Sequence, residues 1–201
     1  LSFYFTPHKF FQQSQFLCII FVGGEKMIEN IKWLGHASVL IEKDGKVIYV
    51  DPWKLKNIKE ADLILITHSH YDHFSIEDIN KIMGKKTVLI GPKDVVSKMG
   101  KGISLLPGEK KQLDWVEIEG VPAYNIGKSF HPKESNNLGF LIKFPDASIY
   151  IGGDTDFIPE MGNLKADIVI LPVGGTYTMD AEEAAKAVNT IKPKFAIPIH
   201  Y

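Results

Sequence analysis

Between Thr67 and His73 the chain reads Thr-His-Ser-His-Tyr-Asp-His, so three histidines and an aspartate fall within six residues. Imidazole nitrogen and carboxylate oxygen are the ligand atoms that borderline divalent ions such as Zn²⁺ take, at roughly 2.0 to 2.2 Å. The cluster follows Asp62-Leu-Ile-Leu-Ile-Thr67, an apolar run that predicts a strand buried on both faces, ending at a pocket rim. In the part still extended, His68 and His70 point to the same side and can share one ion. Once the chain turns, Asp72 and His73 face a neighbouring position, so one loop could serve two ions side by side.

Four more positions carry the same chemistry with weaker local signals. Asp154 lies in Gly152-Gly153-Asp154-Thr155, where a turn carboxylate would also be ordinary. His131, in Phe130-His131-Pro132, and His200, after Ile197-Pro198-Ile199, each follow apolar runs; taken singly, such a histidine is more often packed or exposed than a ligand. His36, in Gly35-His36-Ala37-Ser38, sits between two expected strands, where a site wall or a turn would serve equally.

The elements that must position these groups are short apolar runs broken by turn residues. Strands are expected over 31–34, 37–41 and 46–50, the last two joined through Asp44-Gly45, a strong hairpin signal. Ser75 with Asp78 three residues on opens a helix, 87–90 is a buried strand, and Pro92 opens a second helix toward Met99. Residues 103–125 alternate, followed by strands over 138–144, 148–151, 167–171 and 195–199. A helix capped by Asp180 spans 180–190. Two strand-rich halves, each leading into buried strands and helices, predict an α/β (α+β) fold of two packed mixed sheets with helices outside, an αββα sandwich.

Composition bounds the partners. The 201 residues suit one domain. Twenty-three basic residues, all lysine, against 24 acidic ones leave a net charge of -1. Neither nucleic acid nor an anionic membrane is drawn to such a balance, and no arginine is present to clamp phosphate bidentately. A small-molecule substrate is therefore expected. The single cysteine, Cys18, forms no internal disulfide, which fits a cytoplasmic protein. Residues 1–26 differ from the rest: aromatic- and Gln-rich, then apolar over 16–22, too short for a membrane span. They are expected to be a non-native, disordered leader, with the domain over 27–201 and the true start at Met27. At the other end, His200-Tyr201 closes the chain directly after a strand-like run.

With these residues in order, the sequence resembles the metallo-β-lactamase superfamily, within it the lactonase-like branch that includes the ascorbate-phosphate lactonases. The markers are Gly35-His36-Ala37-Ser38, Asp51-Pro52, the Thr67 to His73 segment, Gly153-Asp154-Thr155 and Pro198-Ile199-His200-Tyr201, and they span 27–201. The resemblance implies one ion held by His68, His70 and a mid-chain histidine, and a second held by Asp72, His73 and His200, with Asp154 bridging. Asp51 would orient the histidine loop. Two departures stand out. Many relatives carry the mid-chain histidine directly after an Ala-aromatic pair, where Ala123-Tyr124 is followed here by Asn125, so His131 is taken as the ligand. Relatives also continue past the His-Tyr pair, so the fold is expected to be truncated at its C-terminus, with His200 loosely held and the second ion weakly bound.

The resemblance thus implies two divalent ions, Zn²⁺ foremost with Mn or Fe as alternatives, and a metal-bound hydroxide that hydrolyses a small ester, lactone or phosphoester. Zinc can lower the pKa of a bound water to about 7. Asp154 or a metal-bound water is the expected proton carrier, and His36 and Tyr201 are candidates to support the reacting oxygen. Iron-dependent persulfide oxidation and a non-catalytic fragment are the competing readings.

Overall fold

The computed structural model describes residues 25–201; the leader expected over 1–26 lies, but for its last two residues, outside them. One six-stranded sheet contains β1 (Ile31–Gly35), β2 (Ser38–Lys43), β3 (Lys46–Val50), β4 (Ala61–Leu65), β5 (Met83–Gly91) and β6 (Ile103–Ser104), in that spatial order. The second contains β7 (Lys110–Leu113), β8 (Val116–Pro122), β9 (Leu138–Lys143), β10 (Ser148–Ile151), β11 (Ile168–Pro172) and β12 (Phe195–Ile199), again side by side in sequence order. Each sheet opens as an antiparallel meander and turns parallel, from β3 onward in the first and from β10 onward in the second. The helices are a single turn α1 (Glu25–Ile28), α2 (Ile76–Ile82), α3 (Lys93–Met99) and α4 (Ala181–Ile191).

Three apolar layers explain the stacking. Ile41, Ile48, Leu63, Leu65 and Ile90 of the first sheet face Phe140, Ile142, Ile149, Ile170 and Ile197 of the second, forming the central core. On the outer side of the first sheet, Leu40, Tyr49, Ile64 and Ile66 pack against Ile79 and Ile82 of α2 and Val95 of α3. On the outer side of the second, Leu141, Tyr150, Val169 and Leu171 pack against Met161 and the Ala184, Ala187 and Ile191 stripe of α4. Strands such as β4 and β11 are covered on both faces, which is why they read as unbroken apolar runs rather than alternating ones. The expected αββα sandwich is the observed fold. Truncating one of these fully buried leucines or isoleucines to alanine costs about 2–5 kcal/mol.

The expected turn and cap chemistry is also present. Asp44 and Gly45 both take positive φ, 51° and 76°, as a tight hairpin between β2 and β3 requires. Asp180 caps α4 in a reciprocal box with Glu183, and Ser75 caps α2. Several element boundaries differ from the sequence reading, among them those of β5 and β4. β5 starts at Met83, directly after α2, instead of at Thr87. β4 stops at Leu65, because Thr67 leaves the ladder: its N–H donates to Asp51 Oδ1 at 2.8 Å and its carbonyl accepts from Leu138 N at 2.9 Å. That exchange ties the first sheet to the second at the point where the histidines begin. Among the described residues no helix is long and apolar enough to cross a membrane.

Candidate metal centre

The parallel strands of both sheets bring their C-terminal ends to one edge of the sandwich, the usual place for a ligand crevice in open sheets. Asp51 follows β3, the 68–73 loop follows β4, Asp154 follows β10 and His200 follows β12; His131 lies in the segment after β8, and His36 in the turn between β1 and β2. Six of the seven histidines of the sequence meet there, in groups whose ligand atoms lie within 4.8 Å of one another. One group is His68, His70 and His131; another is His36, Asp72, His73 and His200; a third joins His68 and His73 to Asp154.

Asp154 stands between them. Its Oδ1 is 3.3 Å from His73 Nε2 and 3.3 Å from His200 Nε2, whereas its Oδ2 is 3.4 Å from His131 Nε2 and 4.0 Å from His68 Nε2. His70 Nδ1 completes the first group, 3.1 Å from His68 Nε2 and 3.2 Å from His131 Nε2. His36 Nε2 lies 2.9 Å from Asp72 Oδ2, and its ring sits 4.0 Å from that of His200.

These atoms fit a cation. His73 Nε2, Asp154 Oδ1 and His200 Nε2 are buried, converge on one point and make no hydrogen bond. Buried polar atoms are nearly always paired, so three orphans at one point mark a place for an ion. Nitrogen and carboxylate oxygen are also the donors zinc prefers.

Neighbouring groups fix which ring nitrogens face inward. Asp51, 1% exposed, takes His73 Nδ1 at 2.8 Å and the Thr67 hydroxyl at 2.6 Å, both on Oδ2. With its one hydrogen given to Asp51, the Thr67 hydroxyl accepts from His68 Nδ1 at 3.0 Å, leaving His68 Nε2 as a lone pair. The backbone is strained at the same place: His36, Asp51 and His200 all have φ near +50°, at 51°, 46° and 57°. Non-glycine residues rarely adopt that region, and such strain collects at functional sites. Gly153 also has positive φ, and a Cβ there would fall 2.9 Å from Leu138 O and 3.0 Å from Thr67 Cβ, so the loop carrying Asp154 needs glycine.

The charges follow from burial and pairing. Burial by itself would lower the pKa of His73, but the carboxylates of Asp154 and Asp51 override it and push it up to about 10. Burial would raise Asp154, yet His73, His200 and His68 hold its carboxyl well below the usual carboxylate range. Burial would likewise raise Asp72, but the His36 hydrogen bond and the charge of His73 together bring it down to about 2. His68 goes the other way: burial, reinforced by His73, pushes it well down, and burial also lowers His131. The centre therefore holds neutral His68 and His131 on one side, the anionic Asp154 carboxylate in the middle and a protonated His73 on the other, whose proton a bound cation would displace.

All seven residues expected to bind metal are brought together, and His131, not Asn125, joins His68 and His70. His200, expected to be loosely held, is 8% exposed and donates its N–H to His36 O at 3.1 Å. Tyr201 is exposed, its ring 5.4 Å from Trp33. The sequence reading left His36 without a partner, and the structure pairs it with Asp72, 36 residues away. It also missed Asp156, whose only signal was the second carboxylate of Asp154-Thr155-Asp156.

A sandwich with this edge centre defines a β-lactamase superfamily domain, and the family described as "Beta-lactamase superfamily domain" matches residues 30–200. A "UPF0173 metal-dependent hydrolase" of Caldivirga maquilingensis is 35% identical over 192 residues, covering 85% of this chain and 81% of its own. A second, from Pyrococcus abyssi, is 33% identical over 190 residues, covering 86% and 84%. A crystal structure of a candidate metal-dependent hydrolase from Parabacteroides distasonis superimposes with a TM-score of 0.80 at 36% identity, covering 85% of this chain and 81% of that one. The chain belongs to the metallo-β-lactamase superfamily and, within it, to the UPF0173 metal-dependent hydrolases.

Proposed function

We propose that this metal-dependent hydrolase acts on a small ester, lactone or phosphoester with two divalent ions, zinc foremost, as a member of the lactonase-like branch. The observation that carries the two-ion reading is Asp154: each carboxylate oxygen faces its own pair of histidine nitrogens. His68, His70 and His131 would hold one ion, Asp72, His73 and His200 the other, and Asp154 would bridge. When bound, the ions supply a water acidified to near neutral pH and an electrophile for the substrate oxygen.

The chain's own residues then have defined tasks. Asp51 and Thr67 hold the inward nitrogens of His73 and His68 in place. Asp154 is also the residue proposed to carry a proton toward the leaving group. His36, half-buried beside Asp72, keeps that carboxylate turned toward the centre and offers a polar edge to the reacting oxygen. A near-neutral net charge and the lack of arginine favour a small substrate over a nucleic acid, and a chain with one cysteine suits the cytoplasm.

The test is to measure metal identity and ions per chain in purified protein, strip them with a chelator, restore zinc, manganese or iron, and screen lactones, phosphodiesters and phosphomonoesters with His70→Ala as control. Two zinc ions per chain and a turnover lost on chelation and regained with zinc support the reading. Sulfite production from a persulfide by the iron form would replace it.

A further inference from the structure

Asn125 sits where the sequence departs from many relatives, and the structure gives it a defined place. It is 7% exposed, and its Oδ1 accepts from His131 Nδ1 at 3.0 Å and from the His131 backbone N–H at 3.1 Å. Its Nδ2 donates to Asp156 Oδ1 at 2.9 Å and to the Tyr177 carbonyl at 2.9 Å. Rotating the amide by half a turn would set two donors against each other at His131 and put its oxygen against two acceptors, so the orientation is determined. Asp156 is anchored in turn by the Ile126 N–H at 2.8 Å and by Lys128 Nζ at 2.8 Å, and Lys128 also holds the Thr178 carbonyl at 2.7 Å.

His131 Nδ1 therefore faces two acceptors, Asn125 Oδ1 and, at 3.3 Å, Tyr177 O. Neither can donate, so Nδ1 carries the proton and Nε2 is a lone pair, turned toward His70 Nδ1 and Asp154 Oδ2. We propose that Asn125, held by Asp156, is a positioning residue: it fixes the tautomer and tilt of His131 and thereby completes the three-histidine group. This rests on reading His131 as a ligand. Partners that orient a ligating imidazole are commonly worth about 10- to 100-fold in metal affinity.

The experiment uses ¹⁵N-histidine-labelled protein stripped of metal, at mildly alkaline pH, with long-range ¹H–¹⁵N spectra reading the His131 tautomer, followed by zinc titration against a chromogenic chelator. Wild type is expected to show the Nδ1–H form. Asn125→Ala should shift His131 toward Nε2–H and weaken one zinc equivalent by about 10- to 100-fold, with the other changed by less than about 3-fold. Asn125→Asp should keep the Nδ1–H form, because a carboxylate accepts whichever way it turns, although facing Asp156 lowers stability. A purely structural asparagine would lower stability in both variants and leave the tautomer alone. Nε2–H in wild type, an unchanged tautomer in Asn125→Ala, or Nε2–H in Asn125→Asp would each overturn the proposal. Should Asn125→Ala fail to fold, wild type and Asn125→Asp decide it. The spectra need no metal, so a protein showing Nδ1–H that hydrolyses nothing sinks the proposed activity and leaves this assignment standing.

Discussion

His73 donates from Nδ1 to Asp51 Oδ2 at 2.8 Å, and this contact determines that Nε2, on the opposite side of the ring, is the atom presented to Asp154 at 3.3 Å. Asp51 comes from the end of β3 and His73 from the loop after β4, neighbouring parallel strands, so the pairing is built into the sheet. The same carboxylate takes the Thr67 N–H and hydroxyl. Asp51→Ala would leave three buried donors without a partner. Its expected cost is about 3–5 kcal/mol in the metal-free protein, the usual loss on breaking a buried charged pair. Urea unfolding in the presence of chelator measures it, and a loss below about 1 kcal/mol would show that Asp51 does not anchor the loop.

His70 is the exposed member of the three-histidine group. Its ring contacts His68 and His131, but no core residue depends on it. His70→Ala should therefore change metal-free stability by no more than about 0.5 kcal/mol, as surface substitutions do. On the proposed two-ion reading, ion content should fall by one per chain. Equal loss of both ions would mean that the two groups do not bind separately.

Stability in chelator should fall as pH rises. The folded pKa of His73 is pushed up to about 10, above the ordinary histidine value of 6.5. A raised folded pKa contributes stability that is complete below 6.5 and lost as pH climbs through about 10. Calorimetry of wild type across that window should show a declining Tm, and His73→Gln should flatten the decline. At the acid end the sign reverses: Asp72 and Asp154 are depressed, so their contribution is present above the ordinary carboxylate pKa of 3.8 and is lost in acid, that of Asp72 as pH falls through about 2.

Gly153→Ala tests the approach of the two sheets. The new methyl would meet Leu138 O at 2.9 Å and the Thr67 side chain at 3.0 Å, at a backbone angle that alanine disfavours. Destabilisation well above about 1 kcal/mol is expected, together with weaker binding of both ions, since Asp154 is the next residue. Chemical denaturation and a metal titration of the same variant check both halves; normal affinity for both ions would mean the loop relaxes without moving Asp154.

Much of this molecule was legible in its residues because the signals are local. Unbroken apolar runs marked β4 and β11, Asp44-Gly45 marked a hairpin, and Asp180 marked the start of α4, each through chemistry confined to a few neighbouring positions. The dense 68–73 cluster named the chemistry for the same reason. Where the signal depended on separation, the residues were silent. Nothing near His36 indicates that it meets Asp72, and nothing near Asn125 indicates that its amide is clasped by Asp156 from the far side of β9 and β10. Those pairings, the choice of His131 over Asn125, and the division of Asp154's two oxygens between separate histidine pairs were decided only when the parallel strands of two sheets stacked with their C-terminal ends at one edge. Residue types can state which atoms favour a cation, but convergence within a few ångströms is a property of packing, set by buried surfaces far from the atoms that converge.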